Sequence, residues 1–308
     1  MKKSRIHSSG IAPFLLNSGE FATESMDKAN CLNDHFAKMC TIDDGVLPEI
    51  RQTSPLDKSD EVVHLDLVYC DWSATLAKCV KLKNKVASGP DGLPPLLYKK
   101  LAKSLAGPLS MIFNLIMQFG TLPAIWKSAL VTPIFKKGAS SNADNYRPIS
   151  LTCVASKIFE QILKDAILNH LKCYNILDPS QHGFVEKRST CSNLIESLGD
   201  WTRSIENKDS TLVAYVDFQK AFNCVSFPKL IHKLKHIGIA GKLLDCISSF
   251  LIGRTQRVKL ENIVSDEVAL ISGVPQGSVL GPVLLSYISM ILSMASLLEL
   301  FLNYMQTI

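Results

Sequence analysis

The sequence has few of the features that mark secreted, zinc-binding or membrane-targeted proteins. Its nine cysteines are an odd number and contain no C-x-x-C pair, so neither a zinc site nor a disulfide framework is expected. The basic start of the chain, residues 1–5, is followed by no apolar stretch of signal-peptide length. These absences predict reduced thiols in an intracellular protein, in the cytoplasm or the nucleus.

Two familiar binding patterns are incomplete. Residues 238–242 contain two glycines and a lysine but lack the spacing of a phosphate-binding Walker loop. His232 and His236 are four residues apart, but Lys233 follows the first histidine where a zinc protease has glutamate. We interpret this pair as a solvated helix face, and we expect His170 likewise to lie on a helix surface.

Carboxylates are scarce near the end of the chain. No aspartate follows Asp266, and the only later carboxylates are Glu267 and Glu299, with no charged residue between them. Residues 279–298 are long enough to span a bilayer, but serines and a glycine–proline pair weaken that interpretation. A buried helix or a divergent tail is favoured, and a membrane is not expected as a partner.

Positive charge is concentrated in one part of the chain. The 308 residues are 47% hydrophobic, enough for one large or two smaller domains. The net charge of +5 divides into −5 for residues 1–76, +10 for residues 77–157 and zero for the rest. A basic block of this kind favours a polyanion such as nucleic acid, although a merely solubilising lysine-rich surface is the alternative.

Hydrophobic periodicity predicts a chain of mixed α and β structure. Helices are predicted at residues 26–39, 96–119, 153–173, 190–206, 228–237 and 242–252 and after Pro282. Strands are predicted at residues 129–135, 145–151, 211–218, 256–260 and 268–271.

The predicted strand at residues 211–218 has one carboxylate, Asp217, near its end. An aromatic residue, Phe222, follows five residues after Asp217. An aspartate at the end of a buried strand is costly to leave unpaired, so it needs a cation or a hydrogen-bond donor. Metal-dependent phosphoryl transfer uses carboxylates in this way. Capping of the following helix is the alternative use of Asp217.

Three other segments carry residues suited to ligand binding. Gly89 and Gly92 lie in a turn of glycine, proline and aspartate, where the backbone can approach a ligand closely. Arg147, in a short extended segment, presents a planar fork suited to phosphate oxygens, and a structural pair with a carboxylate fits it equally well. Gln276 lies in a tight loop bracketed by glycines and a proline.

Six motifs follow one another at residues 88–94, 126–138, 145–151, 181–190, 217–222 and 273–282. In this order and spacing, residues 77–282 resemble the reverse transcriptase domain of non-LTR (LINE-type) retrotransposons. Residues 1–76 resemble the segment before that domain, and residues 283–308 form an atypical apolar tail. The resemblance implies an α+β fold, a partial right-hand polymerase of fingers plus incomplete palm, with a helix-backed antiparallel sheet.

The resemblance also implies roles for individual residues. Asp217 matches the catalytic aspartate that binds the first metal ion, and Phe222 the aromatic residue that selects deoxynucleotides. Arg147 matches the arginine at the incoming triphosphate, and Gln276 the glutamine beside the nucleotide sugar. Lys137, with the lysine before it, is assigned to phosphates or template.

The implied partners are an RNA template, an RNA–DNA duplex and deoxynucleoside triphosphates, with Mg²⁺ as cofactor. Gly89, Gly92 and Lys85 are assigned to the template strand. No stable protein partner is expected.

The chain departs from the family in ways that bear on activity. No Asp-Asp hairpin and no thumb follow Pro282, Asn223 replaces the usual aspartate, and Phe227 the usual histidine. We therefore expect a C-terminally truncated RNA-directed DNA polymerase that is inactive as this chain. A non-catalytic nucleic-acid-binding remnant is the alternative, and a membrane-anchored protein is a third possibility.

Overall fold

The computed structural model describes residues 13–15, 21–47, 64–84, 87–176, 180–213, 215 and 220–289. The helices within these ranges are α1 (Ser25–Lys38), α2 (Trp72–Val80), α3 (Pro95–Lys100), α4 (Ala102–Phe119), α5 (Ala124–Lys127), α6 (Val154–Cys173), α7 (Thr190–Glu206), α8 (Phe227–His236), α9 (Gly241–Leu251) and α10 (Leu280–Ser289). The strands are β1 (Phe14–Leu15), β2 (Phe21–Ala22), β3 (Ser128–Phe135), β4 (Tyr146–Leu151), β5 (Arg254–Leu260), β6 (Ile263–Val264) and β7 (Val268–Leu270).

The main sheet has the order β4-β3-β5-β6, with β7 also paired to β5. Its pairs are antiparallel except that of β3 with β5, which is parallel, with Ser128 opposite Thr255. The expectation of an antiparallel sheet is therefore wrong for this pair. The long connection from β3 to β5, which contains β4 and helices α6 to α9, provides the crossover that a parallel pair needs.

A large apolar core lies among the helices, chiefly α4, α6, α8 and α9. At its centre the rings of Phe113, Trp126 and Phe159 pack with centroid separations of 5.3–6.2 Å. Offset and edge-on aromatic pairs of this kind add about 0.5–1.5 kcal/mol each beyond their area burial. This cluster fixes α5, and hence the start of β3, against α4 and α6.

A second, smaller core lies between α1 and the sheet. Leu32 and Phe36 of α1 are almost fully buried and share this core with Val131 and Val258 of the sheet. Asn33 of the same helix donates to the carbonyl of Asp266 at 2.8 Å. The segment before residue 77 thus includes a helix that covers one part of the sheet.

Most predicted elements are confirmed, with ends that move by up to about two residues. The predicted helix at residues 96–119 is wrong in one respect, because α3 and α4 are separate helices. Leu101 between them has φ −99° and ψ 19°, although neither proline nor glycine occurs there to signal a break. Helix α10 begins at Leu280, which places Pro282 within the first turn, where proline is tolerated.

His170 does not lie on the helix surface as expected. Its ring is buried, its Nε2 atom lies 2.7 Å from the carbonyl oxygen of Ile237, and it packs on the ring of Tyr174. The histidine therefore joins α6 to the end of α8. His232 and His236 are half-buried on α8.

The predicted strand at residues 211–218 is absent where the structure describes it. Residues 211–213 and Tyr215 are not in a strand, and the side chains of Leu212 and Tyr215 are exposed. A strand needs a neighbour for its N–H and C=O groups, and no described strand pairs with these residues. The rest of the segment, with Asp217, lies outside the described residues.

In the part of the chain that the structure describes, no helix is both long and apolar enough to cross a bilayer. The apolar stretch at residues 279–298 is described only as far as Ser289.

Candidate functional site

A small cavity lies where β4, the turn after residue 220, the loop before α10 and the end of α1 meet. Its lining includes Phe36, Cys40, Pro148, Ser150, Phe222, Asn223 and Gln276. The enclosed volume is about 30 Å³, room for a few water molecules, so a larger ligand would extend across its open side.

Phe222 and the loop before α10 are joined through their backbones. The carbonyl of Phe222 accepts a hydrogen bond from the N–H of Val274 at 2.7 Å, and Val225 accepts from Gly273 at 2.8 Å. Gly273 has φ +90°, and a Cβ there would lie 2.9 Å from the Phe222 oxygen. Glycine is therefore required for this close approach.

Gln276 is held at both its side chain and its backbone. Its Nε2 donates to Oδ1 of Asn223 at 3.0 Å, and its carbonyl accepts from the N–H of Ser150 at 2.7 Å. The next residue, Gly277, has φ +120°, and a Cβ there would lie 2.5 Å from the Ser150 oxygen. The motif residues Phe222 and Gln276, far apart in sequence, thus line one cavity.

Glu160 of α6 fixes the other end of the same loop. One carboxylate oxygen accepts from the N–H groups of Val279 and Leu280 at 2.7 and 3.2 Å, and the other accepts from the hydroxyl of Ser156 at 3.1 Å. Burial raises the pKa of Glu160, and the two N–H groups oppose that rise. Arg254 is the nearby positive charge.

Sequence reasoning predicted the helix at residues 153–173 but did not single out Glu160. In the structure, α6 buries almost every residue of its first two turns, so Glu160 has no solvent-facing side there. A buried carboxylate must find donors, and here the donors belong to the start of α10.

Arg147 and Lys137 lie on the β3–β4 hairpin and are both exposed. Arg147 is opposite Ile134 in the strand register, and Lys137 lies two residues beyond the end of β3. Because side chains alternate along a strand, Arg147 leaves β4 on the face opposite to that of Pro148, which lines the cavity. The arginine side chain is thus exposed on the other face of β4 and is not part of the cavity lining.

The Gly89–Gly92 turn packs against the start of α6. The N–H of Gly92 donates to the carbonyl of Gly89 at 3.0 Å, and Gly92 has φ +70°. A Cβ at Gly89 would lie 2.5 Å from the backbone of Thr152 and Cys153. Gly89 thus serves close backbone packing, whereas the space around Gly92 is open.

Two of the predicted site residues, Asp217 and Lys85, lie outside the described residues. Among the residues that the structure does describe, no group of three histidine, cysteine, aspartate or glutamate side chains could hold a metal ion. The described residues therefore do not by themselves fit a divalent-metal centre.

Comparison with known proteins identifies the family. The reverse transcriptase (RNA-dependent DNA polymerase) family matches residues 134–304, which include the cavity-lining segments of β4, Phe222 and Gln276. The RNA-directed DNA polymerase from mobile element jockey of Drosophila melanogaster is 33% identical over 207 residues, 67% of this chain and 22% of the relative.

Two further relatives from the same fly match more of the chain. The probable RNA-directed DNA polymerase from transposon BS is 27% identical over 279 residues, 89% of this chain and 30% of that protein. The one from transposon X-element is 25% identical over 280 residues, again 89% of this chain and 30% of that protein. The chain thus spans between about a fifth and a third of the length of these relatives. It belongs to the reverse transcriptase family, and its relatives are the polymerases of non-LTR retrotransposons.

Proposed function

We propose that this chain is an RNA-directed DNA polymerase domain by descent, which binds a deoxynucleoside triphosphate and an RNA template but does not by itself sustain DNA synthesis. Its setting is intracellular, in the cytoplasm or nucleus, where both ligands occur. Residues 77–282 form the fingers and incomplete palm, residues 1–76 the lead-in, and residues 283–308 an apolar tail.

The observation that carries this proposal is the meeting of Phe222 and Gln276 in one cavity. Gln276 offers amide hydrogen-bonding groups to a sugar, and Phe222, which matches the aromatic residue that selects deoxynucleotides in the family, offers a flat apolar wall. By their match to the family motifs, we assign Arg147 and Lys137 on the β3–β4 hairpin to the phosphates, with the Arg147 side chain leaving β4 on the face opposite to the cavity. We assign Gly89, Gly92 and Lys85 to the template side.

The proposed loss of DNA synthesis follows from the scarcity of carboxylates in the later part of this chain. Two Mg²⁺ ions would neutralise charge on the transferring phosphate, and holding both requires several carboxylates. Asp217 is the aspartate in the matching position, and no aspartate follows Asp266. We therefore propose that Asp217 retains the fold position of a metal ligand without a complete ligand set.

Two measurements on the same preparation test this function. Titration with a fluorescent deoxynucleoside triphosphate should show saturable binding that weakens in the Gln276→Ala and Phe222→Ala variants. Primer extension on an RNA template with Mg²⁺ or Mn²⁺ should show no sustained product. Robust synthesis that disappears in Asp217→Asn would overturn the proposed inactivity, whereas absence of nucleotide binding would overturn the proposed nucleotide site.

A second candidate function is nucleic-acid binding without any nucleotide site. The observation that favours it is the net charge of +10 over residues 77–157, which includes the exposed Lys100, Lys103, Lys136 and Lys137. Salt-dependent RNA binding together with no measurable nucleotide binding would favour this second function over the first.

A further inference from the structure

The segment that follows α1 reaches the cavity and is bonded to it. The backbone N–H of Thr41 donates to the hydroxyl of Ser272 at 2.8 Å, and that hydroxyl donates to the carbonyl of Asn223 at 2.8 Å. Ser272 is buried, and both bonds lie in partly buried surroundings. A continuous hydrogen-bond path therefore joins residue 41 to Asn223.

Asn223 passes this connection on to Gln276 through its side chain. Its Oδ1 accepts from Nε2 of Gln276 at 3.0 Å, while its Nδ2 donates to the sulfur of Met39 at 3.7 Å. The amide of Asn223 thus uses its donor toward the N-terminal segment and its acceptor toward the cavity. This gives a role to an asparagine that departs from the family pattern.

The same segment is also attached to the start of α8. Asp43 is hydrogen-bonded to the hydroxyl of Ser226, the residue that caps α8, and Asp44 pairs with Lys229 at 2.8 Å. Residues 39–44 are thus bonded both to the turn that carries Phe222 and Asn223 and to the loop that carries Gln276.

We propose that Asn223 is a positioning residue for Gln276 and that residues 39–44 hold Asn223 in place through Ser272 and Met39. The inference rests on the proposed function, since it names what orients the glutamine of the nucleotide site. The segment before the polymerase domain then forms one wall of that site, where Phe36 and Cys40 already line the cavity.

The variants Asn223→Asp and Asn223→Ala distinguish the contributions of the two hydrogen bonds that the Asn223 side chain makes. Asn223→Asp keeps an acceptor for Gln276 and loses only the weak donor contact to Met39. Asn223→Ala loses both, and Ser272→Ala breaks the path from Thr41 while leaving the Asn223 side chain intact. Ser110→Ala is the matched control, because Ser110 is also buried and hydrogen-bonded but lies in α4, away from the cavity.

The experiment measures the affinity for a fluorescent deoxynucleoside triphosphate. It also measures the deuterium exchange of the Ser150 amide, which donates its hydrogen bond to the backbone carbonyl of Gln276. We expect Asn223→Ala and Ser272→Ala to weaken nucleotide binding by about five-fold and to speed the exchange of Ser150 by a similar factor. Asn223→Asp should stay within about two-fold of the wild type in both, and Ser110→Ala should change neither.

Wild-type affinity and wild-type exchange in both Asn223→Ala and Ser272→Ala would overturn the proposal, as would an Asn223→Asp variant as impaired as the alanine. If the wild type binds no nucleotide, the proposed function fails, and the exchange of Ser150 alone then decides whether Asn223 positions Gln276. If Asn223→Ala does not fold, Ser272→Ala carries the test, with thermal unfolding as the check on each variant.

Discussion

At the scale of single residues, two buried charges decide how the loop before α10 is held. Glu160 accepts both N–H groups at the start of α10, and the positive charge of Arg254 opposes the rise of its pKa. Arg254 is fully buried, donates to the carbonyl of Phe250 at 3.0 Å and lies 5.0 Å above the Phe250 ring. Burial lowers the pKa of Arg254 to about 10, so it remains charged at neutral pH.

Removing the positive charge alone should be costly because it leaves the buried Glu160 uncompensated. We expect Arg254→Met to lower the free energy of unfolding by about 3 kcal/mol at pH 7. The double variant with Glu160→Gln should recover at least about 1 kcal/mol of that loss, since the two charges are coupled. Urea denaturation of the four proteins in this cycle measures the coupling, and strict additivity would contradict it.

The pH dependence of the unfolding free energy should also reveal the raised pKa of Glu160. Because burial raises its pKa in the folded protein above the ordinary 4.5, the folded state holds the proton more tightly than the unfolded state. Its contribution to stability is therefore full below about pH 4.5 and is lost as pH rises through the folded pKa. Glu160→Gln removes this dependence, so its stability relative to wild type should increase from pH 4.5 to pH 8.

Denaturation midpoints at several pH values for both proteins check this expectation. A stability difference that does not change with pH, or that changes in the opposite direction, would contradict the raised pKa.

Residues within short motifs were predictable, and their long-range partners were not. Phe222 and Gln276 were identified from the residues beside them, and the structure brings both to one cavity. Ser272, Glu160 and the Asn223–Gln276 bond were missed, because each acts through a residue at least 49 positions away. Sequence spacing along one element carries no information about such contacts.

At the scale of secondary-structure elements, helix α1 is the clearest addition to what the sequence predicted. Its periodicity predicted a helix, in a segment that resembles the one before the polymerase domain and whose role the sequence left open. Its apolar residues complete the core over β5 and the neighbouring strands. The Asn33 side chain also donates to the backbone carbonyl of Gln256 at 3.5 Å and accepts from the Gln256 side-chain amide at 3.0 Å. An amphipathic pattern shows that a helix has a buried face but does not say which surface covers it.

Two positions on α1 distinguish a core helix from a loosely attached one. Leu32 is fully buried, so Leu32→Ala should lower the free energy of unfolding by about 2–5 kcal/mol through lost burial and the cavity it leaves. Met26→Ala is the control on the same helix, since the relative exposure of Met26 is 44% and we expect a change within about 0.5 kcal/mol. Equal effects of the two changes in urea denaturation would show that α1 does not contribute to the core.

Helix boundaries were predictable where capping residues mark them, and the α3–α4 break was not. Ser189 caps α7 with a reciprocal bond to Ser192, and that helix starts where the sequence predicted it. Leu101 is a good helix former, so nothing local signals the break. Packing around it, with Tyr98 and Ala102 buried on either side, decides the geometry.

At the scale of the whole molecule, one region is basic, the segment before it is acidic with a net charge of −5, and the remainder is balanced. The region of +10 contains the end of α2, helices α3 to α5 and the β3–β4 hairpin, with exposed lysines on α3, α4 and the hairpin end. A polyanion bound there would release counterions, and its affinity would therefore fall with added salt.

Replacement of two exposed lysines tests where RNA binds. Lys100→Gln with Lys103→Gln should reduce the slope of log affinity against log salt by about 1.4 for single-stranded RNA, as expected for two lost phosphate contacts. The matched control is Lys235→Gln with Lys259→Gln, two exposed lysines outside the basic region. Equal slopes for the two double variants, measured by fluorescence anisotropy, would contradict binding through the basic region.

The pairing of the first helix with late strands has a consequence for synthesis on the ribosome. Gln256, the hydrogen-bond partner of Asn33, follows it by 223 residues in the sequence, and Asp266, the partner of Asn30, follows by 236 residues. At about 5–20 residues per second, the apolar side of α1 waits roughly 11–45 seconds before its covering strands exist. The nascent chain therefore exposes Leu32 and Phe36 for that interval, which makes this helix the natural place for a chaperone to act while the protein is being made.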